Sequence, residues 1–149
     1  MKHPLAALAL LLVLFAAAPA SGQTTPIWLD LGGGLAGAQG IPSLQGTGAL
    51  SPGSPGSFEI TGTPPFAPSL LFFSLIQVGV PFKGGVLQAY PPLADFIINL
   101  GPAGLSMPWG SWTNSLPPGV DMYFQLAVKD PAAVKGVSIT NLLRGTTQP

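Results

Sequence analysis

The chain has 149 residues, enough for one domain with a real core. A hydrophobic fraction of 47% argues against disorder, and 20 Gly with 18 Pro argue against long helices. Five acidic and five basic residues, 7% charged in all, balance to zero and supply no basic patch for a phosphate backbone, so nucleic acid is not an expected partner.

Residues 1–4 carry a positive charge, and Leu5 to Ala18 is an unbroken apolar run. Ala18-Pro19-Ala20 puts small residues at the −3 and −1 positions of a cut after Ala20. This is the three-part pattern of a secretory signal peptide. The run falls short of the ~20 residues a spanning helix needs. We therefore expect a signal peptide over 1–20, with Gly22 as the other cleavage position, and a single domain over 21–149. No later segment reads as transmembrane.

Residues 26–31 alternate, with Ile27, Leu29 and Leu31 on one side and Trp28 and Asp30 on the other, and predict a first strand. Trp28 would then pack under a loop. Gly32, Gly34 and Gly37 formally match G-x-G-x-x-G, but Gly40 and Pro42 forbid the helix a dinucleotide site requires. The stretch reads instead as a mobile or tightly turning loop. Residues 44–50 and 57–61 read as two strands around the turn-forming Ser51-Pro52-Gly53-Ser54-Pro55-Gly56, with Phe58 and Ile60 facing in. The glycines of 44–50 suggest a bulge or a close approach.

Residues 69–85 are the most apolar segment after the signal peptide. Bounded by Pro and Gly, they predict a strand buried on both faces, about which a sandwich closes. Leu71, Phe73 and Leu75 would share one face, and Leu70, Phe72, Ser74, Ile76 and Val78 the other. The following Pro81-Phe82-Lys83-Gly84-Gly85 predicts a turn in which Phe82 plugs the core and Lys83 is solvated. Short strands follow at 86–90 and 94–100, the latter with Phe96, Ile98 and Leu100 inward. A Gly-Pro-Ala-Gly turn at 101–104 leads to 105–112, an edge strand because Pro108 cannot donate to a ladder. Residues 121–130 give the cleanest alternation, with Met122, Phe124, Leu126 and Val128 as the core face. A last strand runs from Val137 to Arg144. Eight or nine short strands with frequent turns predict an all-β, antiparallel β-sandwich, Ig-like or fibronectin-III-like in outline.

The series Trp28-x-Asp30-Leu31-Gly32, Gly40-x-Pro42-x-Leu44-x-Gly46-x-Gly48-x-Leu50-x-Pro52-Gly53, Pro81-Phe82-Lys83-Gly84-Gly85, Tyr123-x-Gln125, Asp130-Pro131-Ala132-Ala133 and Ser138-x-Thr140-Asn141 resembles an uncharacterised family of secreted bacterial β-rich domains. These domains stand alone behind a signal peptide or lie at the C-terminal end of exported proteins. The resemblance spans about residues 28–147. It implies export and an all-β fold, and it carries no assigned activity and no catalytic residue.

The sole His is His3, and there is no Cys. That removes imidazole acid–base work, Ser-His-Asp and Cys-His catalysis, His- or thiolate-ligated metal and disulfides. The carboxylates Asp30, Glu59, Asp95, Asp121 and Asp130 are dispersed. Asp121 and Asp130 stand about 30 Å apart on one extended strand, at ~3.3 Å per residue, and make no dyad. Asp30 and Asp130 precede turn residues and read as turn caps. We expect no cofactor and no metal. Trp109, Trp112 and Tyr90 are the candidate ligand-contact residues, since their rings can stack on sugars. Alternatively the two tryptophans cap the open end of the core. The leading expectation is a secreted, non-enzymatic structural or interaction module of unknown partner, extracellular, at the cell surface or in the periplasm, with an envelope component or a polysaccharide as the candidate partners. The alternative is a carbohydrate-binding module, and a carboxylate-dependent hydrolase is a weaker third.

Overall fold

The computed structural model describes residues 26–113 and 116–149. The expected signal peptide and both cleavage positions lie outside the described residues.

The described residues are all-β, with eleven strands: β1 (Trp28–Asp30), β2 (Ser43–Gly48), β3 (Gly56–Thr61), β4 (Pro68–Ser74), β5 (Val80–Phe82), β6 (Gly85–Leu87), β7 (Ala94–Asn99), β8 (Leu105–Trp109), β9 (Asp121–Lys129), β10 (Val137–Ile139) and β11 (Leu143–Thr146). One 3₁₀ turn, Val134–Gly136, precedes β10. A six-stranded sheet runs in the order β1-β11-β9-β4-β7, with β10 also on β9. A three-stranded sheet has the order β2-β3-β8, and β5-β6 form a separate hairpin. All pairings between strands are antiparallel. The two larger sheets enclose the main core of Leu44, Leu50, Ile60, Leu71, Met122 and Leu126 with their neighbours. Each fully buried aliphatic side chain there contributes about 1.5–3 kcal/mol.

The strand count exceeds the eight or nine expected, for two local reasons. The apolar stretch 69–85 is not one strand. β4 ends at Ser74, whose buried hydroxyl accepts the Ile76 N–H at 3.0 Å and lies 2.7 Å from the Ile76 carbonyl and 2.8 Å from that of Pro91. This serine turn diverts the chain, so Leu75, Ile76 and Val78 are exposed rather than facing the core. Within β4 the expectation of two covered faces holds. Leu71 lies in the main core, and Phe72 lies in a second cluster on the opposite face with Leu87, Ala89, Ala127 and Leu142. The cover on that face is the β5-β6 hairpin. Its two-residue turn, Lys83-Gly84, has φ of 48° and 91°, the positive-φ pair that suits hairpin twist. Phe82 thus plugs this outer cluster, edge-on to Phe72 at 5.8 Å, and not the inter-sheet core.

The last strand is also split. β10 pairs with β9 in one register (Ser138 opposite Val128) and β11 in a register one residue out (Leu143 opposite Phe124). One extra residue makes a bulge. Thr140 repairs it, because its hydroxyl accepts the Leu126 N–H at 2.9 Å and its own N–H donates to the Leu126 carbonyl. The shift lets one strand serve both cores: Ile139 sits opposite Ala127 on the outer side, and Leu143 opposite Phe124 on the inner. Gln125 on the outer face of β9 is fully buried. It ties the cover down, accepting the Gln88 N–H at 2.7 Å and donating to the Thr140 carbonyl at 3.2 Å.

Trp28 departs from expectation. Its ring packs in the main core, against Phe58 at 5.6 Å and Phe124 at 6.2 Å. Glycines make the slot: a Cβ at Gly46 of β2 or at Gly145 of β11 would run into the indole. Its Nε1 donates to the Gly48 carbonyl at 2.9 Å. The close approach suggested for the β2 glycines is therefore to a ring. The glycine-rich segment after β1 turns tightly at its far end, where Gly37 and Gly40 exchange N–H to carbonyl bonds at 2.8 and 3.2 Å. It runs extended beside the last strand, through Leu142 N–H to Gly32 carbonyl at 2.7 Å and a reciprocal Leu35–Ile139 pair.

Candidate functional site

Trp109 ends β8, which is an edge of the small sheet as Pro108 requires. The Trp109 ring lies in a slot that a Cβ at Gly56 would fill. It meets Phe58 edge-on at 5.3 Å and Trp112 edge-on at 5.7 Å. Its Nε1 is buried with no acceptor. The backbone of Trp112 is held by the turn between β2 and β3: Gly53 N–H donates to the Trp112 carbonyl at 3.0 Å, and Trp112 N–H to the Ser54 carbonyl at 2.8 Å. The turn is itself pinned where the Ser54 hydroxyl lies 2.6 Å from the carbonyls of Ala49 and Ser51. Both tryptophans are half-buried and pack against the main core. Capping of the core and exposure of part of each ring thus coexist.

Beside Trp112 the sandwich gapes. An apolar cleft of about 350 Å³ lies between β7 and the segment after β8. Phe96 of β7 stands on one side, Trp112 and Leu116 on the other, and Phe73, Met122 and Phe124 reach it from the core. Phe73 and Phe124 stack at 5.2 Å, so the cleft is continuous with the aromatic part of the core. Phe96 is 53% exposed and Leu93 is 66% exposed. Phe96 faces inward as expected, opposite Leu71, but it is not covered: its side chain stands at the mouth of the cleft, while Ile98 and Leu100 are buried. Thr113 is the only polar residue in the lining among the described residues.

Tyr90 is not part of this arrangement. It precedes Pro91 through a cis peptide in the β6-β7 connection and is 39% exposed. It shares neither a ring contact with the tryptophans nor the cleft lining. The structure thus joins two of the three candidate aromatics and leaves Tyr90 apart. Sequence reasoning missed Phe96, Leu93 and Leu116. The available signal was Phe96-Ile97-Ile98, apolar on both parities in a strand with no second cover.

Four of the five carboxylates are tied up locally, and Asp95 is exposed on β7. Asp30 accepts the Gly32 N–H at 2.8 Å, and Asp130, which is buried, accepts Ala132 N–H at 3.0 Å and Ala38 N–H at 2.8 Å. Both act as the turn caps their positions suggested. Asp121 accepts the Thr146 hydroxyl and lies 3.8 Å from Arg144. Glu59 accepts the hydroxyls of Ser57 and Ser106, each at 2.7 Å, and these two bonds hold its carboxyl below the ordinary value. Among the described residues no three His, Cys, Asp or Glu cluster as a cation site, and no helix is long and apolar enough to cross a membrane.

No family model, no curated protein and no solved structure matches the chain.

Proposed function

We propose that the chain is an exported, non-enzymatic interaction module that holds a partner of the cell envelope against the apolar cleft beside Trp112. The observation that carries this reading is the cleft itself, with Phe96 and Leu93 presented on its rim by a chain that is only 7% charged. Exposed apolar surface of this kind marks sites of association. The three-stranded order β2-β3-β8, facing β7-β4-β9-β11 with hairpin and cross-sheet connections, supports an Ig-like frame with the β5-β6 hairpin inserted and β1 added at an edge. Export rests on the three-part N-terminal pattern of residues 1–20. The non-enzymatic reading rests on the dispersal of the carboxylates, four of which serve a turn, a hydroxyl or an ion pair while Asp95 stands apart on β7.

A polysaccharide is the less favoured partner. Sugar recognition needs convergent polar groups beside the stacking ring, whereas among the described residues the lining offers one threonine and Trp109 keeps its N–H buried.

The test is site-specific photocrosslinking in the cells that produce the protein. A photoreactive residue at Phe96 should give a discrete adduct, and one at the exposed Gln45 should not. No adduct at Phe96, or equal adducts at both positions, overturns the reading.

A further inference from the structure

The free edge of β7 gives the interaction surface a definite geometry. β7 pairs with β4 alone, from Pro68 opposite Asn99 to Phe73 opposite Ala94. The same register continues to Leu100, whose N–H donates to the Ala67 carbonyl at 3.3 Å. Hydrogen-bonded and non-bonded pairs alternate along an antiparallel ladder. Ala94, Phe96 and Ile98 therefore direct their N–H and C=O groups to β4, and Asp95, Ile97 and Asn99 direct theirs outward. Pro68, which has no N–H, falls opposite Asn99, where the β4-β7 ladder asks for none.

The inner face of this strand is apolar, and the outer face carries one large apolar side chain, Ile97, between Asp95 and Asn99. On the inner face Phe96 borders the cleft described above. On the outer face Ile97, 83% exposed, borders a second hollow of about 410 Å³ with Leu70, Phe82, Ala127 and Val137. An added strand thus meets a free ladder with an apolar hollow on each side, the arrangement by which extended segments dock on a sheet edge. Among the described residues the usual guards are sparse, and the strand carries one charge, Asp95. β7 holds no Lys and no Pro, and the β5-β6 hairpin leaves its outer face uncovered.

We propose that β7 pairs with β7 of a second copy of this chain, antiparallel about a two-fold axis at Ile97, joining the two large sheets. The proposal rests on the interaction-module reading and names the partner. The occupant follows from the strand's own symmetry. A two-fold at Ile97 sets Ile97 opposite Ile97, Asp95 opposite Asn99 and Phe96 opposite Ile98. The outward-directed residues are then the ones that pair, which completes about six main-chain hydrogen bonds. The single charge of the strand meets an amide that can donate to it, and never its own copy. A net charge of zero adds little repulsion between whole molecules. A single strand pairing of this kind is expected to associate at roughly micromolar concentrations.

Sedimentation of the exported protein from ~1 to ~300 µM should show a monomer converting to a dimer. Ile97→Lys should weaken association at least about tenfold, while Val134→Lys, at an exposed site off this strand, leaves it unchanged. Amide exchange at Asp95, Ile97 and Asn99 should slow as concentration rises. A monomer throughout the range overturns the proposal, as does a dimer in which those three amides exchange freely. An adduct to a different protein at Phe96, with no dimer, sinks self-pairing and leaves the interaction-module reading standing. The absence of any adduct at Phe96 sinks the wider reading itself.

Discussion

At one edge of the large sheet, β1 is three residues long, and Trp28 reaches across to the small sheet with its ring between Gly46 and Gly145. The chain beyond it is strapped along the last strand, and Asp130 holds the far end of that strap through Ala38. At the other edge, β7 is twice as long, exposes Phe96 and Ile97 on opposite faces and is bounded by two hollows. Shortness, a covering strap and a ring wedge are devices that keep an edge from pairing. Their presence at β1 and absence at β7 teach that the openness of β7 is local and specific. A chain able to close one edge so thoroughly has left the other free in a defined register.

The comparison breaks most severely at Trp28. Trp28→Ala empties the slot between the sheets and should cost about 3 kcal/mol of unfolding free energy, read by denaturant titration, with β1 amides exchanging faster. Next comes the strap. Asp130→Asn leaves one of the Ala38 and Ala132 N–H groups without its acceptor and should cost about 1–2 kcal/mol, with faster exchange at Leu35 and Ile139. At the open edge the expectation reverses. Ile97→Lys should change stability by less than about 0.5 kcal/mol and alter only association. A large loss of stability there would mean that β7 is not a free edge.

The smallest effect concerns Glu59. Its folded carboxyl binds a proton less tightly than the unfolded one, because the Ser57 and Ser106 hydroxyls donate to the ionised form. Its contribution to stability is present above the ordinary Glu value and is lost as pH falls through the lowered folded value. Ser106→Ala should raise the Glu59 titration midpoint toward the ordinary value, measured by carboxyl NMR. An unchanged midpoint would remove Ser106 as a cause.

Much of the frame was legible because period-2 patterning reports burial directly. Met122, Phe124, Leu126 and Val128 lie inside as read, Pro108 marks an edge, and β2 and β3 pair around their Pro-Gly turn. The misreadings have a common origin in contacts distant along the chain. Trp28 alternates away from Ile27 and Leu29, yet it turns inward because glycines far along the sequence leave it room. Ser74 ends β4 by bonding its own backbone, which apolar counting over 69–85 cannot register. The cleft was half legible. Trp109 and Trp112 were singled out by their chemistry, but Phe96 lines the mouth only because no strand covers β7, a fact of topology and not of pattern. Tyr90 was grouped with them by ring type alone.

The slot for Trp28 also sets an order of events. One wall is Gly46 in the small sheet and the other is Gly145 in the large one. Neither sheet alone offers the indole a home, so β1 gains its anchoring energy only after both sheets have come together. The start of the folded chain is then the last part of it to lock. Trp28→Ala should accordingly hasten unfolding while leaving the folding rate nearly unchanged. For a chain that meets its environment N-terminus first, the element that seals the sandwich must wait until the final strand, β11, is present.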